Sequence, residues 1–251
     1  LLQIKKSMFF LKKKEIPLTE FFPEGFADIH SHLLPGIDDG AKDVENSVAL
    51  IRKMASFGMH HFVTTPHILG DLYPNTPEII LDKLQLVQEA LTATDLGHIR
   101  IRAAAEYMLD EQFAVLLEKG NLLTLKDNLV LVEMSYFSPP LNVYELLFEL
   151  QLKGFKPLLA HPERYFTYHN RFQEYYKLKQ AGCLFQLNLL SLTPHYGTPV
   201  QKTAQQLLEK GLYDFVGTDT HHEQHLELLQ KIATKSNVKM LAGVMEKNVG
   251  F

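Results

Sequence analysis

A chain of 251 residues, 46% hydrophobic and 22% charged, carries enough apolar material for one large α/β domain. Its formal net charge of −4 excludes a global positive field of the kind that recruits nucleic acid, and no apolar run approaches the roughly 20 residues of a membrane span. The single cysteine, Cys183, excludes an intramolecular disulfide and, beside Leu184 and Phe185, reads as a buried structural thiol in a reducing, cytoplasmic compartment.

Residues 1–26 read as an N-terminal extension, made basic by Lys5, Lys6, Lys12, Lys13 and Lys14 and suited to a solvated or partner-contacting arm. Ala27–His30 then reads as a short buried strand running into the loop Pro35-Gly36-Ile37-Asp38-Asp39-Gly40. From Asp43 to Gly58, apolar residues at Val44, Val48, Ile51, Met54 and Ala55 give helical spacing. His61–Thr65 is the second strand, and Thr76-Pro77 supplies a cap and first turn for a helix to about Asp95. Further strands are expected near Ile99–Ala105, Leu129–Met134, Lys156–Ala160, Leu184–Leu189 and Phe215–Gly217. Helices are expected between them, near Asp110–Lys119, Val143–Gly154, Phe172–Gly182 and Val200–Gly211, with more helix after His222. Leu129-Val130-Leu131-Val132 lacks two-residue alternation, as a strand buried on both faces does. This order predicts a parallel sheet of βαβ units: a single distorted, seven-stranded (β/α) barrel over residues 27–251.

Twelve histidines against no tryptophan point toward metal or proton chemistry, and their placement sharpens the point. His30-Ser31-His32, Thr65-Pro66-His67, His161-Pro162-Glu163-Arg164 and Asp219-Thr220-His221 each stand where a strand runs out, as do Glu106 and Glu133. In such barrels the carboxyl ends of the strands build the active site. His30 and His32 lie two apart and face the same way in an extended chain, so both imidazoles can reach one ion. A carboxylate in a barrel mouth is costly unless paired or ligating, which makes Glu106 the stronger and Glu133 the weaker metal candidate. His60, His61, His98, His169, His195 and His225 lack such contexts and are read as non-ligands, His195 being the nearest to an exception; His222 is read as a surface residue.

The string from Asp28 to Gly40 resembles the opening motif of the PHP (polymerase and histidinol phosphatase) superfamily, in particular its capsule-associated CpsB/CapC tyrosine phosphatases. The later strand-end motifs follow in that family's order over about residues 27–235. The resemblance implies three divalent ions: one on His30, His32, Glu106 and Asp219; a second on Glu106, Glu133 and His161; a third on Asp39, His67 and His221. It implies manganese, with iron or zinc as alternatives, attack by metal-activated water, and Arg164 as the phosphate-contacting residue. The substrate it implies is a phosphotyrosine-bearing protein, an autophosphorylated bacterial tyrosine kinase of polysaccharide synthesis or export. Tyr136, Phe137, Tyr165, Phe166 and Tyr168 flank the proposed site and either receive an aromatic substrate or pack loops. Three other readings stay open here: a small-molecule phosphatase of the histidinol-phosphatase type, an amidohydrolase-type barrel, and a non-catalytic metal-binding scaffold of an envelope-polysaccharide assembly.

Overall fold

The apolar runs fold as short parallel strands separated by helices, in a computed structural model that describes residues 15–251. The basic segment Leu1–Lys14 lies outside the described residues. In chain order the elements are β1 (Ala27–Asp28), α1 (Val44–Ala55), β2 (His61–Thr64), β3 (His67–Ile68), α2 (Pro77–Thr92), β4 (Arg100–Ala103), β5 (Glu106–Met108), α3 (Glu111–Lys119), β6 (Leu129–Glu133), α4 (Val143–Leu152), β7 (Lys156–Ala160), α5 (Phe166–His169), α6 (Gln173–Gln180), β8 (Leu184–Asn188), α7 (Thr198–Glu209), β9 (Phe215–Gly217), α8 (Glu223–Leu229) and α9 (Lys235–Met245). Three strands pair in the order β1-β2-β4 and six in the order β3-β5-β6-β7-β8-β9, every pair parallel. Among the described residues no helix is long and apolar enough to cross a membrane.

With Lys156–Ala160 and Phe215–Gly217 at their expected bounds, the seven expected strands are nine in the structure. The second breaks at Thr65-Pro66, where proline has no N–H to give a ladder. The third breaks opposite it, at Ala104-Ala105. Two bonds span the paired break, Ala104 N to Thr64 O (2.9 Å) and Glu106 N to Pro66 O (3.0 Å), so the neighbouring passes stay side by side. The chain after β1 leaves regular pairing, yet Asp219 N donates to His30 O (2.7 Å) and His32 N to Thr220 O (2.9 Å). The first and last passes therefore meet. The fold is a mixed α/β one built on a curled parallel sheet.

Strand parity divides the core in two. Leu129, Leu131, Leu158 and Ala160 join Ala27, Ile29, Val63 and Ala104 on one face, while Val130, Val132 and Leu159 pack with the helices on the other. Continuing the first face upward, Ala104 leads to Glu106 and Leu131 to Glu133. Strand β6, which reads as uniformly apolar, thus ends one of its faces in a carboxylate. The helices begin where their caps say: Asp43, Thr76 and Asp110 each accept a backbone N–H three residues on. Residues 15–26, read from the sequence as part of an extension, pack on the domain through buried Leu18, Phe21, Phe22 and Phe26.

Candidate metal centre

Backbone geometry aims the side chains. A Cβ on Gly40 would lie 2.2 Å from His32 O and 2.5 Å from His32 Cβ, so only glycine lets the Asp38-Asp39-Gly40 turn lie on the histidine strand. That contact brings Asp38 Oδ2 to 2.8 Å from His32 Nδ1. A Cβ on Gly217 would meet His30 Cβ at 2.6 Å, so the end of β9 can approach the same strand closely. His161 (φ 36°) and Asp219 (φ 51°) are left-handed, a conformation that costs a non-glycine residue roughly 1–2 kcal/mol and recurs at functional sites. Both stand just beyond a strand end.

These constraints converge on one buried point. His30 Nε2 lies 3.2 Å from Glu106 Oε2 and 3.3 Å from Asp219 Oδ1, and His32 Nε2 lies 3.5 and 3.4 Å from the same two oxygens. The other ring nitrogens are engaged: His30 Nδ1 donates to Gln186 Oε1 (2.8 Å) and His32 Nδ1 to Asp38 Oδ2. In the neutral rings both Nε2 lone pairs therefore point at carboxylate oxygens. His30 Nε2, His32 Nε2, His67 Nδ1 and Glu106 Oε2 are all buried without a hydrogen bond. Acceptors facing acceptors in the interior need a proton or a metal ion between them, and histidines braced by an amide or carboxylate behind are the usual arrangement around a metal. The residues fit a metal group.

Around this point the donors fall into overlapping sets: His30, His32 and Glu106; His30, His161 and Asp219; His67, Glu106 and Glu133; and His32, Asp39, His67 and His221. Glu133 Oε1 lies 3.0 Å from His67 Nδ1, and His161 Nε2 lies 3.0 Å from Glu106 Oε1. Asp39, the exposed member, is 3.6 Å from His67 Nε2 and 3.4 Å from His221 Nε2. Burial alone would raise the Glu106 and Asp219 pKa, but His30 and His67 around the first, and His30 and His221 around the second, hold both well below the carboxylate range. Burial likewise opposes charge on His30, yet Glu106 and Asp219 outweigh it and lift its pKa to about 9. The site is built for positive charge.

Arg164 closes the rim. Its Nη1 donates to Asp219 Oδ2 (3.0 Å), and its guanidinium lies between the rings of Tyr136 and Tyr196, 4.4 and 4.2 Å from their centres. Its sequence neighbour Glu163 does not hold it but turns inward to accept from Asn188 N and Tyr213 OH. Above the cluster opens a cleft of about 1200 Å³ whose wall carries apolar Leu69, Leu72, Met108, Phe137 and Leu146 beside polar Asp110, Glu111, Ser135 and Ser138.

All nine metal-ligand candidates and Arg164 come together here. Asp38, Gln186, Asn188 and Tyr196 were not singled out, although Gln186 and Asn188, two apart in an apolar strand, carried a signal. Asn188 Nδ2 donates to Asp219 Oδ2 (2.8 Å). His222 and His225, read as bystanders, line the cleft. His195 stays outside the donor sets, packed against Tyr196 and His225. Of the flanking aromatics, Tyr136 and Phe137 line the cleft, whereas Tyr165 and Tyr168 are buried and Tyr165 bonds Met134 N and Ala160 O.

Residues 26–246 match the family described as capsular polysaccharide synthesis, CpsB/CapC. The chain is 30% identical over 196 residues to the tyrosine-protein phosphatase YwqE of Bacillus subtilis (strain 168), covering 78% of this chain and 77% of that one. It is also 30% identical over 202 residues to the tyrosine-protein phosphatase CpsB of Streptococcus pneumoniae, covering 78% and 82%. A solved chain described under crystal structures of YwqE from Bacillus subtilis and CpsB from Streptococcus pneumoniae, unique metal-dependent tyrosine phosphatases, superposes with a TM-score of 0.75 at 28% identity over 89% of this chain and 94% of that one. With the motifs, the curled sheet and the donor cluster in agreement, the chain belongs to the CpsB/CapC family.

Proposed function

We propose that the chain is a metal-dependent protein-tyrosine phosphatase acting on an autophosphorylated bacterial tyrosine kinase of polysaccharide synthesis or export, in the cytoplasm. The observation that carries this reading is the set of bare imidazole and carboxylate atoms facing one another beneath an arginine-rimmed cleft. His30, His32, Asp39, His67, Glu106, Glu133, His161, Asp219 and His221 would hold the ions, three in number and manganese first, with iron or zinc as alternatives. Glu106 belongs to two donor sets and, being a carboxylate, can bridge two ions, which supports it as the shared ligand; Glu133 lies beside His67, whereas the family resemblance pairs it with His161. Bound divalent ions would neutralise a phosphate dianion and make water nucleophilic near neutral pH. Arg164, anchored on Asp219 and held flat between Tyr136 and Tyr196, keeps N–H groups free to bind phosphoryl oxygens bidentately. The cross-links between Asp219-Thr220 and His30–His32 support reading the seven chain passes as one distorted, closed barrel of a single domain.

The cleft has room for a phosphotyrosyl side chain, and exposed Leu72 and Phe137 in its wall suit a protein substrate better than a histidinol-phosphate-sized one. Phosphate release from a phosphotyrosyl kinase domain tests the proposal: it should occur with Mn²⁺, stop on chelation and return when Mn²⁺ is restored. Release from histidinol phosphate but not from the kinase would reject the protein substrate, and no release from either would reject the enzyme.

A further inference from the structure

Helix α4 is apolar on two sides. Its inner side, Val143, Leu146, Leu147 and Leu150, is buried. Its outer side carries Tyr144, Phe148 and Leu152, four residues apart and so in one row, with Leu141 just ahead of the first turn. Phe148 is 60% exposed, Leu152 70% and Leu141 fully so. A surface helix ordinarily presents charge in that position, and a contiguous exposed row of large apolar side chains marks a contact surface. Helix α3 extends the patch with half-exposed Val115, and Lys153 Nζ at the end of α4 joins the two helices through Glu118 Oε1 (3.3 Å).

Two further observations say what covers it. The row begins at the mouth of the cleft, because Phe137, Pro140 and Asn142, from the loop leading into α4, line that cleft. Glu145 and Glu149 stand exposed beside the row, so its rim is acidic and repels an anionic lipid surface. Taking the chain to be a protein phosphatase as above, we propose that the Leu141–Leu152 face docks the folded body of the phosphoprotein substrate through an apolar patch flanked by lysine or arginine. The substrate's phosphotyrosyl segment enters the cleft from there. Affinity for the protein then comes from a surface that a short phosphopeptide never touches.

The test compares three substrates: p-nitrophenyl phosphate, a short phosphotyrosyl peptide, and the autophosphorylated cytoplasmic domain of a polysaccharide-export tyrosine kinase from which that peptide is taken. The double variant Phe148→Ser, Leu152→Ser alters two exposed side chains outside the cleft, so its melting temperature and its kinetics on the first two substrates should match the parent. Its KM for the kinase domain should rise at least about tenfold, the size expected for losing interface anchors. Glu145→Lys with Glu149→Lys should weaken the same substrate selectively, and the loss should shrink at high salt. An unchanged KM for the kinase domain, or an equal loss on p-nitrophenyl phosphate, overturns the docking face. So does a parent that sediments as a dimer which the double variant disperses without slowing the kinase reaction, since the face then serves a second copy. A parent that releases phosphate from neither phosphotyrosyl substrate overturns the phosphatase reading itself, and this proposal with it.

Discussion

Two buried carboxylates close to the His161–Arg164 turn face opposite electrostatic surroundings. Glu163 accepts from Asn188 N (3.0 Å) and Tyr213 OH (2.9 Å), neutral donors that satisfy it, and burial pushes its pKa up. Glu106 is as deeply buried, but imidazoles of His30 and His67 surround it, its pKa is held well below the usual range, and Oε2 has no hydrogen bond. Satisfied polar groups specify a fold; an unsatisfied acceptor among other acceptors awaits a ligand. Glu163 belongs to the structure and Glu106 to the chemistry.

The sharpest way to break that contrast is at Glu106. Glu106→Ala removes the carboxylate shared by two donor sets, so bound metal should be lost and turnover should fall by more than the roughly 10- to 100-fold typical of a supporting residue. The chelated variant should also unfold at lower denaturant concentration than the chelated parent, because it removes the carboxylate that holds His30 charged, so metal content rather than stability decides the point. Elemental analysis showing the parental metal content would place Glu106 outside the centre.

Arg164→Lys probes the rim without touching the donors. A lysine keeps the charge but loses the planar fork and the stacking on Tyr136 and Tyr196. The expected loss in kcat/KM is about ten- to a thousandfold, or about 1.4–4 kcal/mol of transition-state binding, with metal content and melting temperature near the parent's. A variant that loses stability in step with activity would show that the arginine serves mainly to hold Asp219.

Glu163→Ala should behave the other way round. It leaves a hole and strands the Asn188 N–H and Tyr213 hydroxyl, for an expected cost of about 3–5 kcal/mol in stability by denaturant unfolding. The folded fraction should still carry metal. Full stability with emptied metal sites would reverse the roles of the two glutamates.

Much of the site was legible because the donors interrupt apolar runs: Glu106 follows Ala103-Ala104-Ala105 and Glu133 follows Leu129–Val132, and His30 and His32 share one spacing. What escaped depends on contacts between distant segments. Asp38 and Asp39 are neighbours of one chemical type, and which braces His32 is decided by the close contact of Gly40. The break at Pro66 has a signal, but its partner at Ala104-Ala105 has none, since alanine suits strand and loop alike. The stacking of Arg164 between Tyr136 and Tyr196 joins three strand ends that no local pattern relates.

Asp28 offers the mildest test, because like Glu163 it is buried with neutral donors: Thr218 N (2.9 Å) and Thr218 Oγ1 (2.7 Å). Burial lifts its pKa from an ordinary 3.8 to about 6, and the Thr218 bonds offset that only in part. The folded protein therefore holds this proton more tightly than the unfolded chain does. Stability from this group is greatest at low pH and declines as the pH rises from about 4 through about 6, by roughly 3 kcal/mol in all. Asp28→Asn cannot ionise, so in chelated protein its unfolding free energy, minus that of the parent, should become more favourable across that window. The Glu106 titration is common to both proteins and largely cancels in the difference, while His30, its pKa lifted to about 9, stays charged across the window and adds an attraction that already lowers the Asp28 pKa. A flat difference curve would mean that two Thr218 hydrogen bonds compensate a buried charge as well as imidazoles do, and the distinction drawn between Glu163 and Glu106 would then rest on the missing hydrogen bond at Oε2 alone.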